Sequence, residues 1–165
     1  MKAVIVYYSF TGNTRRVAQA LCGYLTGQSI DCELFELKPR KEPLKFAHQV
    51  VQALLSLNAD LIKEKPSDLS GYDYVFLGTP VWAFAPAPAL RSFISGISGF
   101  KGKPAYLFVT YGSGLGKEKC LNKIKRLVIK KGGNVAVKIS ISDKKVQDAD
   151  YLGRIFSRDI FFTQN

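Results

Sequence analysis

Residues 3–18, Ala3-Val4-Ile5-Val6-Tyr7-Tyr8-Ser9-Phe10-Thr11-Gly12-Asn13-Thr14-Arg15-Arg16-Val17-Ala18, read as a strand, a polar loop and the opening of a helix. Ala3 to Tyr8 is apolar at every position, as a strand covered by helices on both faces requires. The helix expected over Asn13–Tyr24 gathers Val17, Ala20, Leu21 and Tyr24 on one face. Between them, Ser9, Thr11 and Thr14 offer hydroxyls at a helix mouth, and Gly12 lets the backbone come close to a ligand. A helix N-terminus carries unpaired N–H donors and a partial positive charge, so a phosphate is stabilised there without a lysine. Ordinary N-capping would use one such side chain. Ser9, Thr11, Asn13 and Thr14 together exceed that need, which favours an anion.

Outward from this segment the pattern repeats. Strand-like runs fall at Glu33–Leu37, Tyr74–Gly78, Ala105–Thr110 and Val135–Ile141. Amphipathic helices are expected over Ala89–Ile97, with Leu90, Phe93, Ile94 and Ile97 inward, and over Lys117–Lys131, with Cys120, Ile124, Leu127 and Val128 inward. The alternation predicts a doubly wound α/β fold: a five-stranded parallel sheet with helices on both faces, residues 1–165 forming a single domain. Residues 38–70 read as a helical insertion, its helix near Phe46–Ile62 between Pro43 and Pro66. Residues 144–165 read as a C-terminal helix and tail, with Val146, Leu152, Ile155 and Phe156 at helical spacing. In such folds ligands sit outside the carboxyl ends of the strands, here just after Tyr8, Gly78 and Thr110.

After the third strand comes Thr79-Pro80-Val81-Trp82-Ala83-Phe84, a proline-stiffened loop holding the chain's single Trp. Trp82 either covers a planar ring or packs in the core, and spacing alone does not choose. After the fourth comes Thr110-Tyr111-Gly112-Ser113-Gly114-Leu115-Gly116, whose glycines permit close approach or positive φ. Neither G-x-x-x-x-G-K-[ST] nor G-x-G-x-x-G is present, which excludes the common nucleotide-triphosphate and dinucleotide loops. The three loops contain no Asp, Glu, His or Lys, so paired-carboxylate and Ser-His-Asp hydrolysis have no raw material there.

Taken together, Ile5 to Ala18 resembles the FMN-phosphate signature of the flavodoxin family. Thr79-Pro80-Val81-Trp82 with Pro86-Ala87-Pro88 is similar to that family's second flavin loop, and Gly112-Ser113-Gly114-Leu115-Gly116 to its third. The resemblance implies strand order 2-1-3-4-5 and FMN as cofactor. It implies that Ser9, Phe10, Thr11, Gly12, Asn13 and Thr14 hold the phosphate and that Thr79, Pro80, Val81, Trp82, Ala83 and Phe84 line the ring near N5. Thr110, Tyr111, Gly112, Ser113, Gly114 and Gly116 then meet the pyrimidine edge, with Trp82 stacked on the flavin and Tyr111 or Phe84 as the second aromatic. The implied function is an electron carrier between partner proteins. A small FMN-dependent NAD(P)H:quinone-type reductase and a non-catalytic binding module are the alternatives.

The chain departs from the acidic electron carriers of that family in charge. Net charge is +11. Residues 1–82 hold nine Lys/Arg against eight Asp/Glu, whereas residues 83–165 hold fifteen against five. Lys119, Lys123, Arg126 and Lys130 form one stripe on the expected helix 117–131, which suits redox partner proteins with acidic surfaces. No aromatic residues interleave with the stripe, so nucleic acid is not expected. Cys22, Cys32 and Cys120 form no C-x-x-C pair and His48 stands alone, so neither a disulfide framework nor a zinc site is expected. No apolar run is long enough to span a bilayer, and no secretory leader is apparent; a cytoplasmic protein is expected.

Overall fold

The computed structural model describes residues 1–40, 66 and 68–160. The chain runs through β1 (Lys2–Tyr7), α1 (Asn13–Gly27), β2 (Asp31–Glu36), β3 (Tyr74–Trp82), β4 (Ala85–Pro86), α2 (Pro88–Gly96), β5 (Pro104–Tyr111), α3 (Lys117–Lys130) and β6 (Asn134–Ser142). A 3-10 turn (Asp143–Lys145) and α4 (Ala149–Asp159) follow. The helix expected near Phe46–Ile62 lies outside the described residues.

Five strands pair in parallel in the order β2-β1-β3-β5-β6, which is the expected 2-1-3-4-5 order. The sixth strand was not expected. β3 does not stop at Gly78 but runs on to Trp82, and β4 folds back antiparallel on its end, pairing Val81 with Pro86 and Trp82 with Ala85. The loop read after strand 3 is therefore a hairpin whose tip is Ala83-Phe84.

Side chains alternate between two cores. Val4, Val6, Val75, Leu77, Leu107 and Val109 pack with α2 and α3 on one face. Ala3, Ile5, Phe76, Tyr106, Phe108 and Ile139 pack with α1 and α4 on the other. Both sides of the central strands are buried, which is why they read as unbroken apolar runs. Gly78 is required by this packing: a Cβ there would lie 2.1 Å from the Phe108 ring. On α3 the inward residues are Cys120, Leu121, Ile124 and Val128; Leu127, expected inward, is only partly buried, and Leu121 takes its place. The tail helix is shorter than expected because Asp148 starts it, its Oδ1 accepting from Tyr151 N at 2.9 Å.

Candidate functional site

β1, β3 and β5 end side by side, so three loops far apart in sequence meet at one edge of the sheet. The first opens α1. Gly12 precedes the helix with φ +89° and, as a glycine, offers no capping side chain of its own. Arg16 N donates to Gly12 O at 3.0 Å and Arg15 N to Ser9 Oγ at 3.2 Å. The N–H groups of Asn13 and Thr14 have no protein partner among the described residues. Ser9 and Thr14 are buried, Gly12 and Asn13 half-buried, and Thr11 is exposed. Thr14 points inward rather than outward: its Oγ1 lies 2.9 Å from Thr110 Oγ1. That buried pair ties the first loop to the end of β5.

The second loop is braced at its base by Thr79, fully buried, whose Oγ1 accepts from Ala87 N at 3.0 Å and donates to Pro80 O at 3.1 Å. Trp82 is only 6% exposed. Its ring meets Tyr8 edge-on at 5.4 Å and Phe10 edge-on at 6.1 Å. Trp82 thus packs with the α2–α3 core and ties the second loop to the first. The tip turns through left-handed backbone at two consecutive non-glycine residues, Ala83 (φ +43°) and Phe84 (φ +66°). Two-residue hairpin turns of this hand normally use Asn-Gly, and each strained residue costs about 1–3 kcal/mol. Phe84 carries the compensation. Its ring seats on Gly116, where a Cβ would come within 2.2 Å of Cδ1, and Lys119 Nζ lies 5.4 Å from the ring centre.

In the third loop Thr110 is buried and Tyr111 half-buried, with Lys117 Nζ 4.9 Å from the tyrosine ring centre. Gly114 (φ +79°) lies beside that ring, a Cβ there reaching 3.5 Å from Cε2. Gly112 and Ser113 are exposed, and Ser113 Oγ accepts from Leu115 N at 3.4 Å. Gly116 (φ +78°) begins α3, again without a side-chain cap. One residue at this edge escaped the sequence reading: Asp143, just beyond β6, whose Oδ2 would stand 3.6 Å from a Cβ on Gly112. Its position one residue past the end of a parallel strand was the available signal.

The three loops therefore meet in pairs, through Thr14–Thr110, Phe10–Trp82 and Phe84–Gly116. Two helix N-termini, each preceded by a glycine, face the same edge and make it electropositive. Arg15 is neutralised by a bidentate pair with Glu36, Nη2–Oε1 2.7 Å and Nε–Oε2 3.0 Å. Lys117 and Lys119 occupy the first turn of α3, where Glu118 is the only acid. A cation in that position opposes the helix dipole by about 0.3–1 kcal/mol. This edge brings together open N–H donors at α1, aromatic and glycine surfaces beside them, and no carboxylate within the first two loops.

The family model for flavodoxin matches residues 2–148. The chain belongs to the flavodoxin family. Solved structures similar to this chain include a flavoprotein in complex with FMN from Lactobacillus acidophilus, 21% identical with TM-score 0.68, covering 90% of this chain and 98% of that one. Oxidised flavodoxin 1 from Bacillus cereus is 18% identical with TM-score 0.63, covering 98% and 100%. Two-electron reduced flavodoxin from Megasphaera elsdenii is 20% identical with TM-score 0.62, covering 94% and 98%. At these identities the likeness is one of fold. No curated protein sequence matches the chain. Among the described residues no helix is long and apolar enough to cross a membrane, and no three His, Cys, Asp or Glu side chains cluster as metal ligands.

Proposed function

We propose that the protein binds FMN at the mouth of the three loops and carries electrons between partner proteins. The observation that carries this reading is the pair of open donors at the α1 N-terminus: the N–H groups of Asn13 and Thr14 have no protein partner among the described residues, and they stand with the exposed Thr11 hydroxyl beside aromatic and glycine-rich loops. In this reading Ser9, Phe10, Thr11, Gly12, Asn13 and Thr14 hold the phosphate. Thr79, Pro80, Val81, Trp82, Ala83 and Phe84 line one side of the ring, with Thr110, Tyr111, Gly112, Ser113, Gly114 and Gly116 on the other.

When bound, FMN supplies one-electron and hydride chemistry, and the protein positions it. The chain's own contribution is rigidity and exclusion of water. The Thr14–Thr110 pair holds two loops together, and Thr79 anchors the base of the hairpin. Trp82, already packed on Tyr8 and Phe10, acts as the floor. Phe84 and Tyr111 are more exposed than Trp82 and are the rings this reading brings against the flavin beside it. The partners are acidic redox proteins meeting the basic helix α3.

The test is a visible spectrum and a titration with FMN and riboflavin. FMN should bind more tightly, and Thr11→Val should weaken FMN alone, since a hydrogen bond to a charged group contributes about 1.5–3 kcal/mol. Equal affinity for both flavins would overturn the phosphate assignment. A protein that binds neither would overturn the function.

A further inference from the structure

Each of the three loops exposes one large apolar side chain: Phe10 is 42% exposed, Phe84 46% and Leu115 71%. Leu115 is the most exposed large apolar residue among those described. Single exposed residues of this kind are ordinary, but three converging loops that each present one make a patch. Cations border it. Lys117 lies against Tyr111 and Lys119 against Phe84, both in the first turn of α3, where the helix dipole already makes the field positive. From Lys119 the cations continue along one face of α3 through Lys123, Arg126 and Lys130, all exposed. At ~1.5 Å per residue that row is about 16 Å long, more than the anionic part of a small donor can cover.

We propose that the mouth and the first half of α3 form one docking surface for an acidic redox protein, with Leu115 and Phe84 as its apolar centre and Lys117, Lys119 and Lys123 as its cationic rim. The inference rests on the electron-carrier reading and names the face that such a carrier presents. Complementary charge steers encounter, while desolvated apolar contacts at the centre set residence time. The surface does not suit single-stranded nucleic acid, because no aromatic side chain alternates with the cations along α3. Nor does it suit insertion into a membrane surface, because the apolar face of α3 is spent on the core through Cys120, Leu121, Ile124 and Val128.

The test uses the full chain with cytochrome b5 as an acidic haem-protein probe and cytochrome c as a basic one. Association is read by calorimetry, electron transfer by stopped flow, and flavin content by visible absorbance. Association with cytochrome b5 should fall about tenfold or more between about 10 and 200 mM salt, and cytochrome c should show no such fall. The pair Lys119→Glu with Lys123→Glu should weaken cytochrome b5 association about tenfold at low salt. The pair Lys130→Glu with Lys131→Glu makes the same formal charge change at the far end of α3 and should do much less. Leu115→Ser should shorten the lifetime of the complex several-fold without altering its salt dependence. Flavin content should stay constant throughout. Calorimetric binding by the flavin-loaded protein with no electron transfer in stopped flow would keep the surface and sink the carrier reading. Association independent of salt, equal losses from the two charge-reversal pairs, or tighter binding to heparin than to cytochrome b5 would overturn the docking surface.

Discussion

Replacing Thr14 with Val removes one partner of the Thr14–Thr110 hydroxyl pair while keeping the shape of the side chain. The two Oγ1 atoms are 2.9 Å apart and the residues are 1% and 2% exposed, so water cannot replace the lost contact. The Thr110 hydroxyl is then left buried without that partner, at a cost of about 1–3 kcal/mol. In a domain of this size each kcal/mol lowers the melting temperature by roughly 2–4 °C, so a fall of several degrees is expected. Thr110→Val should cost a similar amount for the reciprocal reason. The double variant replaces both partners by apolar groups of the same shape, and it should cost less than either single change, a coupling of about 1–3 kcal/mol. The assay is urea unfolding of the flavin-free protein, since any bound ligand would add its own stabilisation. Single-variant losses that add to within about 0.5 kcal/mol in the double variant would show that the pair does not hold the loops together.

Other parts of the structure make separate demands. Ala83→Asn should raise stability by up to about 1 kcal/mol, because Asn tolerates the left-handed backbone that Ala83 is forced into; an unchanged or lower urea midpoint would show the turn is unstrained. Gly78→Ala should cost about 3 kcal/mol or more, since its Cβ would meet the Phe108 ring at 2.1 Å inside a packed core, and a loss below about 0.5 kcal/mol in thermal unfolding would contradict that packing. Burial pushes the Cys120 thiol up to about 12, so at about pH 8 it should resist Ellman's reagent until the chain is unfolded, and fast reaction of the folded protein would refute its burial. Trp82, 6% exposed, should show little quenching by iodide, and a slope near that of free indole would place it at the surface.

What was legible beforehand was carried by local signals. Nearly unbroken apolar runs at Ala3–Tyr8 and Ala105–Thr110 already implied strands covered on both faces, and the helical spacing in 117–131 separated an inward row from the cationic one. From strand ends alone the mouth could be located after Tyr8, Gly78 and Thr110, because doubly wound sheets place their ligands there. The hairpin at 81–86 was not legible. Its tip, Ala83-Phe84, contains no Asn or Gly to announce positive φ, and the conformation is enforced from outside by strand pairing and by the seat of Phe84 on Gly116.

The sequence by itself determined the fold class, the order of loops and helices, and the chemistry each loop brings: hydroxyls and open N–H groups in the first, aromatics in the second, glycines in the third. Periodicity and strand-end composition suffice for this, since they act over one turn or one strand. Only the tertiary structure decided which side chains face the mouth. Thr14 turned inward to Thr110 across 96 residues of sequence, Trp82 went beneath the surface against Tyr8, and Lys119 came to lie over Phe84. The reason is the sheet order: β1, β3 and β5 become neighbours only when the sheet is assembled, and the contacts between their loops exist only then.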